Sequence, residues 1–285
     1  MAKIAIVTDS TSDIPADLLK KLDINIVPLT ILFGKESYKA DGIDLPIKDF
    51  YIKLQSSKIL PKTIQPSPGD FIEIYKNLFE KYDEIISIHI SKKMSGTADS
   101  AMIAKKEFKN KKIEIIDSGL VHMPLGFLVI EAASMAKKGY DIQSIIERIK
   151  LIKPQMKSLF VPKTLEYLQK GGRIGRAKSL IASLLEIKPI LTINLGEVSP
   201  YKNTRRWSQA KEEIINSMKI MLPEPENLVV SVGDLDLRED GEEMVQKIKD
   251  QLKPSEIMRV DFGVIVGAHL GPAIGITFYD RPLLK

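Results

Sequence analysis

A threonine hydroxyl held on a stiff ledge can grip the head group of a ligand, and residues 62–71 supply one. They read Lys-Thr-Ile-Gln-Pro-Ser-Pro-Gly-Asp-Phe. Pro66 and Pro68 fix their own φ and push the residue before each out of the α region, so Thr63 is presented in a loop with little left to order. Ser67 and Asp70 suit the caps of a helix running through Phe71, Ile74, Tyr75 and Leu78, and capping alone would account for the stretch. Two further tracts place small or weakly basic polar groups after an apolar run: Ser95-Gly96-Thr97 after residues 85–90, and Gly267-Ala268-His269-Leu270-Gly271-Pro272 after residues 262–266. Ligands of open α/β sheets sit outside the carboxyl ends of strands, so three such loops are expected to converge there.

The remaining chemical groups are fewer. Of three histidines, His269 alone sits in a glycine-rich loop; His89 reads as a satisfied sheet residue and His122 as a helix-start residue. Arg173 follows two glycines and could approach an anion, as could Arg205 and Arg206, although exposed arginines are usually solvated or paired with acids. Residues 171–176 match neither a P-loop nor a dinucleotide fingerprint, so ATP is not expected to bind this chain. Asp9 and Asp13 flank Ser10, Thr11 and Ser12, which a capped turn explains better than a metal site; no metal is expected. With no cysteine, disulfides and thiolate chemistry are excluded. An acyl hydrolase built from Ser95, His269 and Asp9 is an alternative, but Ser95 lies between Met94 and Gly96 and lacks the nucleophile-elbow sequence.

These residues must be positioned by elements that the apolar pattern reveals. A strand at residues 4–7 leads to a helix opened by Pro15 with Leu18, Leu19 and Leu22. A strand at 84–90 leads to a helix at 98–108, and a strand at 112–116 to a helix at 124–138. This alternation predicts a doubly wound, mainly parallel sheet. Gly139 stops the long helix, and another at 142–152 ends before Pro154. Beyond it helices at 163–169 and 207–221 alternate with strands at 187–194, 228–232 and 258–266, and Asn194-Leu195-Gly196-Glu197 reads as a hairpin turn. The expectation is an α/β fold of two domains, 1–157 and 158–285, the second with a mixed or antiparallel sheet and the ligand held between the two.

The 285 residues are 44% hydrophobic but only 6% aromatic, which suits aliphatic cores. Lys and Arg total 42 against 37 acidic residues, and the signs are interspersed; a nucleic-acid regulator would rest on the net charge of +5 alone. The first apolar run is too short for a signal-peptide core, and no run approaches the roughly 18 apolar residues of a membrane helix, so a cytoplasmic protein without stable membrane insertion is expected.

The markers together resemble the DegV family. They are Val7-Thr8-Asp9-Ser10-Thr11-Ser12-Asp13, residues 63–71, Met94-Ser95-Gly96-Thr97 with Ser100-Ala101, and Asp117-Ser118. Tyr167-Leu168-Gln169-Lys170-Gly171-Gly172-Arg173-Ile174, Lys188-Pro189-Ile190-Leu191 and residues 267–272 complete the set, in family order along essentially the whole chain. The resemblance implies a cytoplasmic, bacterial, two-domain α/β protein of phospholipid metabolism. It would enclose one long-chain fatty acid such as palmitate in a buried tunnel, need no other cofactor, and present the carboxylate to a separate fatty-acid kinase catalytic subunit. It further implies that Thr63, Ser95, Gly96 and His269 contact the carboxylate and that Arg173 and Arg205 lie near the head-group opening or a partner. One departure is that the family's Gly-Pro-Gly-Ala is here Gly271-Pro272-Ala273-Ile274, one glycine short. Leu180, Ile181, Leu184, Leu185, Ile187, Ile190, Leu191 and Ile193 are the aliphatic supply expected to serve tail or core.

Overall fold

The computed structural model describes residues 2–57, 59–183 and 187–283. Strand β1 (Ile4–Asp9) passes through a 3₁₀ turn into α1 (Ala16–Leu22) and β2 (Ile24–Val27). Strands β3 (Thr30–Phe33) and β4 (Glu36–Lys39), helix α2 (Ile47–Ser56) and strand β5 (Lys62–Ile64) follow. Next come α3 (Pro68–Leu78), β6 (Glu84–His89), α4 (Thr97–Lys105), β7 (Lys112–Asp117), α5 (Met123–Lys137) and α6 (Ile142–Ile152). The second half carries β8 (Lys157–Pro162), α7 (Glu166–Lys170), β9 (Lys188–Asn194), β10 (Glu197–Thr204) and α8 (Trp207–Met221). It ends with β11 (Leu228–Leu235), α9 (Arg238–Leu252), β12 (Glu256–Asp261), α10 (Val264–Leu270) and β13 (Ala273–Asp280).

The chain is α/β, as its alternation predicts. A four-stranded sheet, β2-β1-β6-β7, is parallel throughout, whereas the six-stranded sheet β10-β9-β8-β13-β11-β12 is antiparallel except for β11 with β12. The β9–β10 turn has Leu195 at φ 51° and Gly196 at φ 84°, the left-handed pair that a two-residue hairpin needs. Residues 30–64, which show no clear period, hold a small antiparallel sheet, β4-β3-β5, packed with α2. Its Ile31, Phe33 and Phe50 share one core with Phe160, Leu165, Leu235 and Ile265 of the second half.

Helix α5 is apolar almost all round, the pattern of a helix buried on every side. It lies between the parallel sheet and β13 and pairs with α6; the rings of Phe127 and Tyr279 meet at 5.4 Å. Buried Glu131 on α5 accepts hydrogen bonds from Arg148 on α6 and from the Tyr279 hydroxyl, and pairs with Arg281 at 2.7 Å.

Two expectations are corrected. The strand expected at 258–266 ends at Asp261, and the following apolar run is helix α10, started at Gly263 and burying Val264, Ile265 and Ala268. A run of that length is compatible with helix or strand, and packing against α7, α2 and β5 decides for helix. His269 therefore sits in the last turn of a helix instead of a loop beyond a strand. Thr63, expected in a loop, lies on the edge strand β5, with Ile31 opposite it. No helix among the described residues is long and apolar enough to cross a membrane.

Candidate functional site

The strands and helices bring Thr63 and His269 together. The Thr63 hydroxyl lies 2.8 Å from Nε2 of His269, joining β5 to the end of α10. Gly271, at φ 65°, ends α10 where a side chain would strike the Tyr167 ring. Nδ1 of His269 is buried without a partner and faces Gly171, where an added Cβ would lie 2.3 Å away. Burial, with the Arg173 guanidinium repelling a second charge, pushes the His269 pKa down to about 4, so the ring is neutral at neutral pH. Of the two tautomers, the one that buries a bare lone pair at Nδ1 costs less than one that buries an unpaired N–H. Nε2–H then donates to Thr63 Oγ1, and the threonine proton is not used by the histidine.

Ser95 precedes α4, and its hydroxyl pairs with that of Thr97 at 2.9 Å. Gly96 does not line the pocket, and its N–H already donates to Oε1 of Gln65 at 2.9 Å. The amide expected to meet a carboxylate is engaged because Gln65 folds over the glycine, where a Cβ would come 2.5 Å from Oε1. Gln65 Nε2 donates onward to Ser100 at 3.2 Å, so this one side chain clasps the Thr63 ledge to the Ser95 turn. Its signal in the sequence was only its place between Thr63 and Pro66.

Arg173 stands at the rim, donating from Nε to the Met94 carbonyl at 3.1 Å and from Nη1 to the Gly171 carbonyl at 2.8 Å. Arg205 does not join it. It lies exposed between β10 and α8, with its backbone N–H on Gln209, and does not line the pocket.

Behind these groups the pocket encloses about 970 Å³ of atom-free space, mouth included. Its walls are mostly apolar: Leu29, Ile90, Met94, Leu168, Ile193, Val198, Phe262, Ile265 and Leu270 contribute from both halves of the chain, with Phe160. Of the aliphatic residues expected from sequence, Ile193 lines it. Ile190 and Leu191 are core, Leu180 and Ile181 pack against core, Ile187 is half-buried and off the wall, and Leu184 and Leu185 lie outside the described residues. Thr11 and His122 also line the wall; His122 is the helix-start residue its sequence position suggests, but nothing in the sequence marked either residue as facing a pocket.

The hydrolase trio is not assembled. Asp9 bonds His89 Nδ1 and the Ile90 amide at 3.0 Å each and also holds Thr11; Ser95 bonds Thr97, and His269 bonds Thr63. Burial raises the Asp9 pKa, but hydrogen bonds from His89, Thr11 and Ile90 outweigh it and hold the carboxyl below its usual range. His89 in turn contacts Ser87 at 2.7 Å, and Ser87 accepts from Tyr75 at 2.8 Å. Asp9, His89 and Ser87 have the bond order of a catalytic triad, yet all three are fully buried and none faces the pocket. Asp13 pairs with His122 Nδ1 at 2.7 Å instead of sharing an ion with Asp9, and no cluster of three or more metal-ligating side chains occurs among the described residues.

Comparison with known proteins covers the whole chain. The model of the DegV family, described as "Uncharacterised protein, DegV family", matches residues 3–281. A DegV domain-containing protein of Caldanaerobacter subterraneus subsp. tengcongensis is 37% identical over 282 residues, 99% of this chain and 100% of the relative. Protein DegV of Bacillus subtilis is 31% identical over 277 residues, 96% of this chain and 98% of the relative. Among solved structures, the fatty-acid-binding DegV family protein of Thermus thermophilus superposes with a TM-score of 0.93 at 29% identity, covering 98% of this chain and 100% of that one. DegV of Bacillus subtilis, a fatty acid binding protein, gives 0.91 at 30% identity with the same coverage. A stearic-acid-binding protein of Eubacterium ventriosum gives 0.89 at 26% identity over 99% of both chains. With sequence and fold agreeing from end to end, this chain belongs to the DegV family.

Proposed function

We propose that the chain binds one long-chain fatty acid, its carboxylate at the Thr63–His269 end and its tail in the apolar pocket between the parts 1–157 and 158–285. The observation that carries this reading is a largely apolar pocket with a directed hydroxyl at one end and a cationic side chain at the rim. Relatives named for fatty-acid binding support it. At about 0.8 kcal/mol per buried methylene, about fifteen methylenes contribute on the order of 12 kcal/mol before costs, so the tail supplies affinity and the polar end supplies orientation.

In this reading the protein is a binding protein that hands its carboxylate to a separate fatty-acid kinase. Thr63 and Ser95 offer neutral donors, and Arg173 is partly occupied by two backbone carbonyls. A carboxylate held this way keeps the electron density needed to attack a phosphoryl group, which a bidentate arginine clamp would withdraw. Arg205, exposed and off the pocket, is assigned to the partner-facing surface.

The test is denaturing extraction with mass spectrometry, followed by acyl-phosphate formation with a kinase catalytic subunit and ATP. About one acyl chain per protein is expected, and Thr63→Val should reduce transfer more than binding. Recovery of no acyl chain together with no binding of labelled palmitate or oleate would overturn the proposal.

A further inference from the structure

The inner face of the six-stranded sheet carries polar groups where an acyl tail needs none. Thr277 on β13 is in register with Ser158 on β8 and with Ser231 on β11, so three hydroxyl side chains stand in one row on the same face of adjacent strands. Ser158 and Thr277 line the pocket; Thr277 is 2% exposed and Ser231 is fully buried. Hydroxyls so placed usually bond one another or a nearby carbonyl, yet none of the three finds a protein partner for its side-chain oxygen among the described residues. Nε2 of His122, on the pocket wall and also buried without a partner, lies against Gly233, two residues from Ser231 along β11.

A plain hydrocarbon tail would cover these groups and pair none of them. An oxygen on the tail would pair at least two, since a hydroxyl both donates and accepts. We propose that the row is a recognition subsite for an oxygen part-way along the acyl chain, so that the preferred ligand is a mid-chain hydroxy fatty acid. This rests on the fatty-acid reading above. Thr277 lies four residues beyond Ala273, where β13 leaves the His269 end. That is about 13 Å at roughly 3.3 Å per residue, or on the order of ten carbons of an extended acyl chain.

The experiment is displacement of a fluorescent fatty acid from the full chain by stearate, 10-hydroxystearate and 2-hydroxystearate. The 10-hydroxy acid should displace the probe at about tenfold lower concentration than stearate, and the 2-hydroxy acid should show no such gain. Thr277→Val and Ser158→Ala should each bring the ratio to about threefold or less while tightening stearate, whose tail no longer covers an unpaired hydroxyl. Stearate displacement in the same titration reports that each variant is folded, and two variants guard against the failure of one. Equal or weaker binding of the 10-hydroxy acid, an equal gain for the 2-hydroxy acid, or a ratio unchanged in both variants would overturn the subsite and leave fatty-acid binding standing. If none of the three acids displaces the probe from the wild-type chain, the fatty-acid reading fails and the subsite with it.

Discussion

Gly171→Ala should disable the head of the pocket through one methyl group. Gly171 has φ −75° and ψ −9°, ordinary helical values, so alanine meets no backbone penalty there and gains about 0.4–1 kcal/mol from a less flexible unfolded chain. What opposes it is space: the new Cβ would lie 2.3 Å from Nδ1 of His269 and 2.8 Å from the Tyr167 carbonyl. The imidazole must swing away, and its 2.8 Å bond to Thr63 goes with it. Overpacking costs about 1–3 kcal/mol and the lost bond about 0.5–1.5, so after the gain a net destabilisation of about 0.5–4 kcal/mol, centred near 2, is expected. Urea unfolding of the ligand-free chain measures it, with fatty-acid binding read in parallel. Gly172→Ala is the contrast. Its φ of 71° strains any side chain, but nothing lies within 4 Å, so it should cost about 1–2 kcal/mol and leave His269 in place. In a His269→Ala background at least half of the Gly171→Ala penalty should vanish, the remainder belonging to the Tyr167 carbonyl. A penalty that persists in full without the imidazole, or a neutral Gly171→Ala, would refute the steric argument.

Two further outcomes are expected. Because the folded pKa of His269 is about 4 against 6.5 in the free side chain, its contribution is fully present above pH 6.5 and is lost as pH falls through 4. The loss amounts to about 3 kcal/mol at most, and His269→Gln should flatten that part of the stability profile in pH-dependent denaturant unfolding. Asp9→Ala should destabilise the chain by about 3–5 kcal/mol, since it strands His89, the Ile90 amide and Thr11 in the core; a change below 1 kcal/mol by the same assay would show that this network is dispensable.

Strands β1, β6 and β7 of the parallel sheet were legible as short, largely apolar runs, as at Ile85, Ile86 and Ile88, each followed by a helical stretch, whereas β2 was not singled out. The Ser67–Asp70 capping box was legible for the same local reason, since both partners lie within one turn. Residues 30–64 were not: β3, β4 and β5 are three or four residues long and are stabilised by partners outside their own sequence neighbourhood. The nature of α10 was hidden because Val264-Ile265-Val266 favours strands locally, and packing against α7, α2 and β5 overrides that preference. At the site, Thr63, Ser95, His269 and Arg173 were visible as residue types in unusual loops. Gln65 was not, since an amide clasp is defined by what it touches. The polar patches on Thr11, His122 and Thr277 were also invisible, because nothing local marks which wall of a cavity a side chain will face.

The bond between Thr63 and His269 spans 206 residues, and another, from the Tyr51 hydroxyl to the Phe262 carbonyl, spans 211. Contacts this far apart are closed late, after the loop-closure entropy of the intervening chain has been overcome. During synthesis the ledge that carries Thr63 therefore emerges long before the helix that completes it, and no fragment ending before α10 can form this end of the pocket. Ligand acts only on the finished chain, adding stability as the logarithm of its concentration over Kd. Lipid supply would then shift the balance between completed and unfolded chains without changing the early steps, so refolding rates should be indifferent to fatty acid while unfolding slows in its presence.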